Sequence, residues 1–226
     1  MPEQTRLEIK RKQWIWGAVL IMLWVCVGLL FYQTNGHLSV RELLRYQPDN
    51  VLLTAAAMCG LFLLKSGDFL VHSAILYALD GIMFPLPVAI GVNMLGIAIM
   101  SAVSYRIGSA LGAPALERLR EKNPKLRETE GLNTQNTFML TVLLRSIGVP
   151  VNIASLYMGA RSFPFLTYMI ASEIGLLPIM IPYTLMGDSA SDIHSPVFIG
   201  SVAARILVAV CAALVYRGMR RKAKSE

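Results

Sequence analysis

The sequence predicts an all-α polytopic membrane protein. The predicted architecture is an inverted repeat of a re-entrant hairpin plus a transmembrane helix. It lies between flanking N- and C-terminal transmembrane helices. Three observations predict this class. Of the 226 residues, 55% are hydrophobic and only 15% are charged, which is typical of a polytopic membrane protein. The basic residues that give the net charge of +7 are grouped in short tracts beside apolar runs. This distribution indicates membrane topology and not nucleic-acid binding. Two apolar runs are interrupted by Pro, Gly or charged residues, as discontinuous membrane helices are.

The whole chain, residues 1–226, is predicted to form a single membrane domain that begins with a transmembrane helix at residues 14–32. This apolar run is long enough to cross a hydrocarbon core of about 30 Å at about 1.5 Å per residue. No small-residue cleavage site follows it, so we expect the helix to be retained. The basic residues before it, Arg6, Lys10, Arg11 and Lys12, predict a cytoplasmic N-terminus.

Residues 51–187 are predicted to form the core, with two re-entrant segments. In its first half, the run from Val51 to Leu64 is short, and a second short run ends at Phe84. The two runs form either one re-entrant hairpin or two spans, and the sequence permits both. Pro85 and Pro87 are expected at a hairpin tip, because Pro frees carbonyls that only a cavity or a protein neighbour can satisfy. A clean span follows at residues 88–105.

The second half repeats this pattern. The run at residues 138–160 is interrupted by Arg145, Gly148 and Pro150, and Pro150 is expected at the second hairpin tip; a long span follows at residues 163–187. We expect Gly148 and Gly159 to shape the second hairpin. Residues 107–137 are polar and basic, which predicts a cytoplasmic loop. Residues 188–196 contain Asp188 and Asp192 but no Lys or Arg, which predicts an external loop. The two halves then have opposite orientations, which makes them an inverted repeat.

The last span is predicted at residues 197–216. It is followed by a basic tract that contains Arg217, Arg220, Arg221, Lys222 and Lys224. The positive-inside rule therefore places the C-terminus in the cytoplasm as well.

Charged residues inside the predicted core are the candidate functional groups. A charge near the bilayer centre costs about 2.5 to 3.5 kcal/mol on insertion scales. Asp80, Arg145 and Glu173 in the core, and Arg205 in the last span, are therefore expected to face an internal cavity and to pair. Arg145 has three interpretations: it binds a lipid phosphate bidentately, it is the counter-ion of Glu173 or Asp80, or it snorkels to the cytoplasmic interface. If residues 138 and 163 both start at that interface, Arg145 lies about 10 Å deep and Glu173 about 15 Å deep.

Several motifs resemble the DedA family of VTT-domain, or SNARE-associated, membrane proteins. In the first half these are Asp80-Gly-Ile-Met-Phe-Pro-Leu-Pro87 and Ser104-Tyr-Arg-Ile-Gly108. In the second half they are Leu144-Arg145, Pro150-Val-Asn152, Gly159, Phe165, Ser172, Gly175, Pro178 and Gly187. Their order along the chain carries the resemblance, which covers roughly residues 50–190.

The resemblance implies a lipid-translocating fold with two facing re-entrant hairpins. Bacterial members are implicated in returning undecaprenyl phosphate across the plasma membrane, and eukaryotic relatives behave as phospholipid scramblases. We therefore expect a flippase or scramblase for an anionic lipid, such as undecaprenyl phosphate or a phospholipid, in the plasma (inner) membrane of a bacterium. The predicted substrate site contains Arg145, Asp80, Pro150 and Asn152, which lie in the resembling motifs, and Glu173, which is added because it is a charge within an apolar run.

Two departures from the family pattern bear on proton coupling. Bacterial DedA-type members commonly carry a second acid just after the Pro-x-Pro element, where this chain has Val88-Ala89, and a Pro where this chain has Gly148. Proton coupling is therefore left open. Glu173 could replace the second acid, a hypothesis that rests on its depth relative to Arg145.

A second function class fits the same residues, namely a proton- or ion-coupled small-solute transporter of inverted-repeat type. A lipid pathway should open sideways to the bilayer, whereas a solute pathway should open to water at both faces. The sequence has no HExxH, GxSxG or P-loop element, so we expect no enzyme activity. Its Cys and His residues are scattered, so no metal or cofactor is expected. Membrane lipids are the expected partners, nucleic acid is not, and homo-oligomer formation is left open.

Overall fold

A computed structural model describes residues 50–66, 72–122, 126, 136–146 and 149–222. These residues form seven α-helices and contain no strand, as the sequence predicts. The predicted transmembrane helix at residues 14–32 lies outside them. The helices are α1 (Val51–Lys65), α2 (Ser73–Met83), α3 (Leu86–Lys122), α4 (Thr137–Ser146), α5 (Val151–Ala160), α6 (Phe165–Asp188) and α7 (Pro196–Lys222).

Three of these helices are long and apolar enough to cross a membrane. They are α3 over Leu86–Gly112, α6 over Phe165–Asp188 and α7 over Pro196–Leu214. They confirm the spans predicted at residues 88–105, 163–187 and 197–216. The membrane-length part of α3 ends at Gly112, where φ is 58°, a left-handed conformation that Gly adopts without a steric penalty. The helical path then continues to Lys122, so part of the predicted cytoplasmic loop is helical.

The other four helices are short. Helix α1 has 15 residues, α2 has 11, and α4 and α5 have 10 each. At about 1.5 Å per residue they are about 15 to 22 Å long, less than a hydrocarbon core of about 30 Å. Each half of the core thus contains two short helices followed by one long helix.

Several of the described prolines lie at or beside the first residue of a helix, whereas Pro114, Pro178 and Pro182 lie inside helices. Helix α2 ends at Met83, and Phe84 follows in extended backbone with φ −127° and ψ 151°. Pro85 and Pro87 stand at the junction with α3 and not between the short helices α1 and α2, where the tip of a first hairpin would lie. Pro150 precedes the first residue of α5, and Pro164 precedes the first residue of α6. Pro is tolerated at these positions because the first N–H groups of a helix have no intrahelical acceptor.

One pair of glycines lets α2 cross α6 with their backbones in contact. A Cβ atom on Gly81 would lie 2.0 Å from the Thr184 carbonyl oxygen, and one on Gly187 would lie 2.0 Å from the Ala78 carbonyl oxygen. No Cβ atom fits at such a distance, so both positions require Gly. Small residues of this kind are what allow membrane helices to approach closely.

A second pair does the same where α3 crosses α5. A Cβ atom on Gly108 would lie 2.1 Å from the Leu156 carbonyl oxygen, and one on Gly159 would lie 2.0 Å from the Tyr105 carbonyl oxygen. In both crossings the second short helix of one half packs on the long helix of the other half. The two halves therefore hold each other together.

Helix α7 packs on α6 and presents its other side outward. Its apolar side chains, among them Ile206, Val210 and Leu214, are exposed. An apolar helix with so little protein contact is typical of the outer surface of a membrane protein.

Candidate functional site

Arg145 lies at the end of α4 and is only 1% exposed. Its Nη1 donates to the Val151 carbonyl oxygen at 2.7 Å. Its Nη2 lies 3.0 Å from Ser155 Oγ, 3.1 Å from the Tyr168 hydroxyl and 3.0 Å from Ser172 Oγ. These five residues are the arginine network. Within the described part of the chain, Nε has no hydrogen-bond partner.

Tyr168 connects the arginine network to α3. Its hydroxyl donates to the Ser101 carbonyl oxygen at 3.2 Å and lies 2.7 Å from Ser155 Oγ. The Arg145 guanidinium carbon also lies 5.8 Å from the centre of the Tyr168 ring, within the range of a cation–π contact. The network therefore links α3, α4, α5 and α6 around one cation.

This geometry bears on the three interpretations of Arg145. Burial argues against snorkelling, because a snorkelling guanidinium would be exposed and Arg145 is not. Its hydrogen-bond partners among the described residues are all neutral, and none is the carboxylate of Glu173 or Asp80. Phosphate binding stays a prediction, for which Nε is the donor that no described residue binds.

Asp80 lies on α2 and is 0% exposed. Neither carboxylate oxygen has a hydrogen-bond partner among the described residues. Its neighbour Gly81 forms the crossing with α6, so the carboxylate is held where two helix backbones touch. A buried polar group without a partner is rare in proteins and calls for a specific explanation.

Glu173 is on α6 and is half-buried. Both of its carboxylate oxygens are inaccessible, and neither has a hydrogen-bond partner among the described residues. Arg145 contacts α6 at the preceding residue, Ser172. Asp80 and Glu173 thus share one property, since each is an acid that no described side chain or backbone group binds.

The remaining predicted site residues lie at helix ends and crossings. Asn152 is 2% exposed, and its Nδ2 donates to the Lys65 carbonyl oxygen at 2.7 Å, which ties α5 to the end of α1. Pro150 is exposed at the start of α5. Gly159 forms the crossing with α3, and Gly148 lies outside the described residues.

Asn93 is a buried polar residue that the sequence reasoning missed. It is 0% exposed on α3, and its Nδ2 donates to the Tyr77 carbonyl oxygen at 3.3 Å and to Thr184 Oγ1 at 3.0 Å. It therefore joins α2, α3 and α6. A lone Asn in an otherwise apolar span is the signal that could have identified it, because such residues hydrogen-bond across membrane helices. Nothing in the sequence around Ser155 or Tyr168 marks either residue as a partner of Arg145.

A lateral groove of about 670 Å³ lies between α4, α6 and α7. Its lining is apolar and includes Val142, Pro178 and Val208. Met139 and Leu207 also line it and are 59% and 64% exposed, so the groove opens on the apolar outer surface. Its volume lies within the range of about 300 to 1,000 Å³ that is typical of ligand pockets.

The lateral groove and the arginine network share a wall. Gly175 lines the groove, and a Cβ atom on it would lie 3.2 Å from both Cβ and Cγ of Arg145. Ser146, the residue after Arg145, also lines the groove. The backbone of α6 at Gly175 thus lies between the lateral groove and the aliphatic part of the Arg145 side chain.

The described residues contain no group of three or more His, Cys, Asp or Glu side chains that could hold a metal ion. The polar groups that these described residues bring to the site are the arginine network, the carboxylates of Asp80 and Glu173, and several amide and hydroxyl groups.

Comparison with known proteins identifies one family. A family model described as the VTT domain matches residues 70–189, more than half of the 226 residues. The match includes α2 to α6 and the residues Asp80, Arg145 and Glu173. Neither a curated protein nor a solved structure matches the chain significantly.

Proposed function

Because the chain belongs to the VTT-domain (DedA) family, we propose that it is a lipid translocase, a flippase or scramblase that moves an anionic lipid between leaflets. The family and the apolar helices make it an integral membrane protein, and the family is consistent with a membrane transporter or lipid flippase. The identity of the transported molecule is the proposal. Undecaprenyl phosphate and a phospholipid both have the required chemistry, which is a phosphate headgroup on long hydrocarbon chains.

The proposed topology has two re-entrant hairpins in an inverted repeat. Helices α1 and α2 form one hairpin, and α4 and α5 form the other. Two facts support this proposal: all four helices are shorter than a hydrocarbon core, and each half crosses the other at a glycine pair. Both termini face the cytoplasm of a bacterial cell, and the membrane is the plasma membrane.

The lateral groove is the observation that best supports a lipid as the transported molecule. It opens sideways on the apolar surface, where a membrane solute can enter from the bilayer without passing through water. A hydrocarbon chain in this groove stays in an apolar environment while its headgroup moves through the polar interior. A water-soluble substrate gains nothing from such an opening.

In the proposed mechanism, Arg145 receives the phosphate. Charge-assisted hydrogen bonds from a guanidinium to a phosphate are roughly twice as strong as neutral ones. A phosphate would therefore displace the hydroxyl groups of Ser155 and Ser172 and also engage Nε. Asp80 and Glu173 either exchange protons as the headgroup passes or shape the polar path. The lipid leaves chemically unchanged, so no enzyme reaction is proposed.

The second candidate is a proton- or ion-coupled transporter of small solutes. The two carboxylates without described partners favour it, because Asp80 and Glu173 could hold a coupling proton or cation. This reading requires a path that opens to water at both faces.

Reconstituted liposomes test the proposal. The purified protein is placed in vesicles that contain a fluorescent phospholipid or a polyprenyl phosphate, and movement between leaflets is measured by dithionite or phosphate accessibility. Wild type should equilibrate the lipid, whereas Arg145→Lys and Asp80→Asn should slow it. The matched controls Arg106→Lys and Glu117→Gln change exposed residues and should behave as wild type. No movement of either lipid by well-folded wild type would overturn the proposal in favour of the solute transporter.

A further inference from the structure

Tyr77 lies on α2, in the first half of the core, and its hydroxyl group has no part in the site described above. We infer that this hydroxyl donates a hydrogen bond to the phosphate that Arg145 receives, so that both halves of the core build the headgroup site. This inference rests on the proposed function, because it adds a second donor to the phosphate site assigned there. Tyr77 is then the contribution of the first half, and Arg145 is that of the second.

Tyr77 is held firmly, yet no described residue uses its hydroxyl group. The residue is 1% exposed, its ring stacks on Phe62 with 6.0 Å between ring centres, and its carbonyl oxygen accepts from Asn93 Nδ2 at 3.3 Å. The hydroxyl oxygen is buried and has no hydrogen-bond partner among the described residues. The side chain of Ser73, one turn earlier, acts on it without reaching hydrogen-bond geometry. Such a group favours a ligand, because a buried hydroxyl that binds nothing costs free energy.

The position of Tyr77 in α2 matches that of Ser155 in α5. Each lies four residues before the glycine at which its helix crosses a long helix of the other half, Gly81 for Tyr77 and Gly159 for Ser155. Four residues are about one helical turn, so the two residues lie on the same side of their crossings. Ser155 Oγ lies 3.0 Å from Arg145 Nη2. The first half thus has a hydroxyl group at the place where the second half has a partner of the buried cation.

Charges of the second half reach the Tyr77 hydroxyl. The Arg145 guanidinium and the Glu173 carboxylate both act on it electrostatically, and Arg145 acts on Glu173 as well. The three groups therefore lie within electrostatic range of one another. Arg145 Nε has no described partner, so a phosphate that engages Nε has a second donor in Tyr77. We expect the phosphate on the Arg145 side of the hydroxyl, because the Glu173 carboxylate repels an anion.

Tyr77→Phe tests this inference, because it removes the hydroxyl and keeps the ring that stacks on Phe62. Binding is measured on the full chain in detergent with two pairs of ligands, polyprenyl phosphate with polyprenol and phosphatidic acid with diacylglycerol. The members of each pair differ only in the phosphate. We expect Tyr77→Phe to bind the phosphate member that wild type prefers about fivefold more weakly. Its binding of the matching alcohol should equal that of wild type.

Unfolding of the same proteins separates a ligand-binding role from a structural one. Tyr77→Phe breaks no described hydrogen bond, so it should unfold at the same denaturant concentration as wild type. Tyr183→Phe is the matched control, because the Tyr183 ring lies beside Arg205, 5.4 Å from its guanidinium carbon, and should bind all four ligands as wild type does. A stability loss in Tyr77→Phe as large as that in Tyr168→Phe would overturn the inference, since the hydroxyl would then have a partner within the protein.

A double variant links Tyr77 to Arg145. Arg145→Lys keeps the positive charge and removes the planar guanidinium, so it should weaken phosphate binding by itself. If both residues donate to one phosphate, their effects are coupled, and the fold-change of Tyr77→Phe/Arg145→Lys should differ from the product of the two single fold-changes. A double variant that shows the simple product would overturn the shared site.

Together with the liposome assay, these measurements separate failure of this inference from failure of the proposed function. Lipid movement by wild type, with unchanged phosphate affinity in Tyr77→Phe, keeps the translocase and overturns the role of Tyr77. Phosphate-selective binding that weakens in Tyr77→Phe, without any lipid movement by wild type, keeps the shared site and overturns the translocase. Equal binding of the phosphate and alcohol members by wild type would overturn the phosphate site itself.

Discussion

The two buried charges of the core are held in different ways. Arg145 is 1% exposed and is bound by four neutral groups from α5 and α6, whereas Asp80 is 0% exposed and has no described partner for either oxygen. The first charge is part of the architecture, since it joins helices that would otherwise meet through side-chain packing alone. The second contributes no described contact through its carboxylate. Stability and transport should therefore respond differently to changes at the two positions.

Two helix crossings in the core require glycine, and substitution of these glycines should have the largest effect on the free energy of unfolding. Gly81→Ala and Gly159→Ala each place a Cβ atom 2.0 Å from a backbone carbonyl oxygen, so whole helices must separate. We expect each to reduce the free energy of unfolding by about 3 kcal/mol or more, measured by thermal or denaturant unfolding of the purified protein in detergent.

Gly91 provides the control for this prediction, because a Cβ atom there has nothing within 4 Å. Gly91→Ala should be neutral or slightly stabilising, since Ala is the better helix former. Equal behaviour of Gly91→Ala and Gly159→Ala would contradict the close backbone contact.

Arg145→Ala should have the next largest effect, because it leaves Ser155, Ser172 and the Val151 carbonyl without their charged donor. We expect a loss of about 3 kcal/mol in the same unfolding measurement. Arg106→Ala, at an exposed position, should lose less than about 1 kcal/mol. A fully stable Arg145→Ala protein would mean that the arginine network does not support the fold.

Tyr168→Phe tests one member of the arginine network, because it removes one hydroxyl and keeps the ring. The ring would still stack on Tyr105, at 5.1 Å between centres, and would still face the Arg145 guanidinium. We expect a loss of about 1 to 2 kcal/mol in the unfolding measurement, less than for Arg145→Ala. A double variant Arg145→Ala/Tyr168→Phe should lose less than the sum of the two, because both belong to one network; simple additivity would argue against the network.

Asp80→Asn should have the smallest effect on stability and a large effect on transport. The change keeps the shape of the side chain and breaks no described hydrogen bond, so we expect no loss in the free energy of unfolding. Lipid movement in the liposome assay should fall strongly if the carboxylate acts on the passing headgroup. A stability loss as large as that of Arg145→Ala would show that Asp80 has a structural partner and would remove the contrast with Arg145.

The long helices were predictable because their signal is local. Residues 88–105, 163–187 and 197–216 are apolar over membrane length, and the structure has helices there. The backbone hydrogen bonds of a helix join residues four apart, so the local run of residues is enough to specify one. The same reasoning identified Asp80, Arg145 and Glu173, because a charge in an apolar run is visible without knowledge of its neighbours.

The partners of those charges were not predictable in the same way. Arg145 contacts Ser172, 27 residues away, and Asn93 contacts Thr184, 91 residues away. Ser and Thr are common in membrane helices as small residues, so nothing in their local sequence marks the few that bind a buried cation or amide.

Reading the sequence was enough to identify an all-helical membrane protein of the VTT-domain family and the charged residues within its apolar core. The packing of distant segments was needed to establish that hydroxyl and carbonyl oxygens bind Arg145 and that no acid among the described residues does. It was also needed to establish that glycines join the two halves and that a groove opens beside α7. The physical reason is that hydropathy and helix length are properties of single segments. A hydrogen-bond network, a backbone crossing and a groove each require segments that are distant in the chain to meet at distances of a few ångströms.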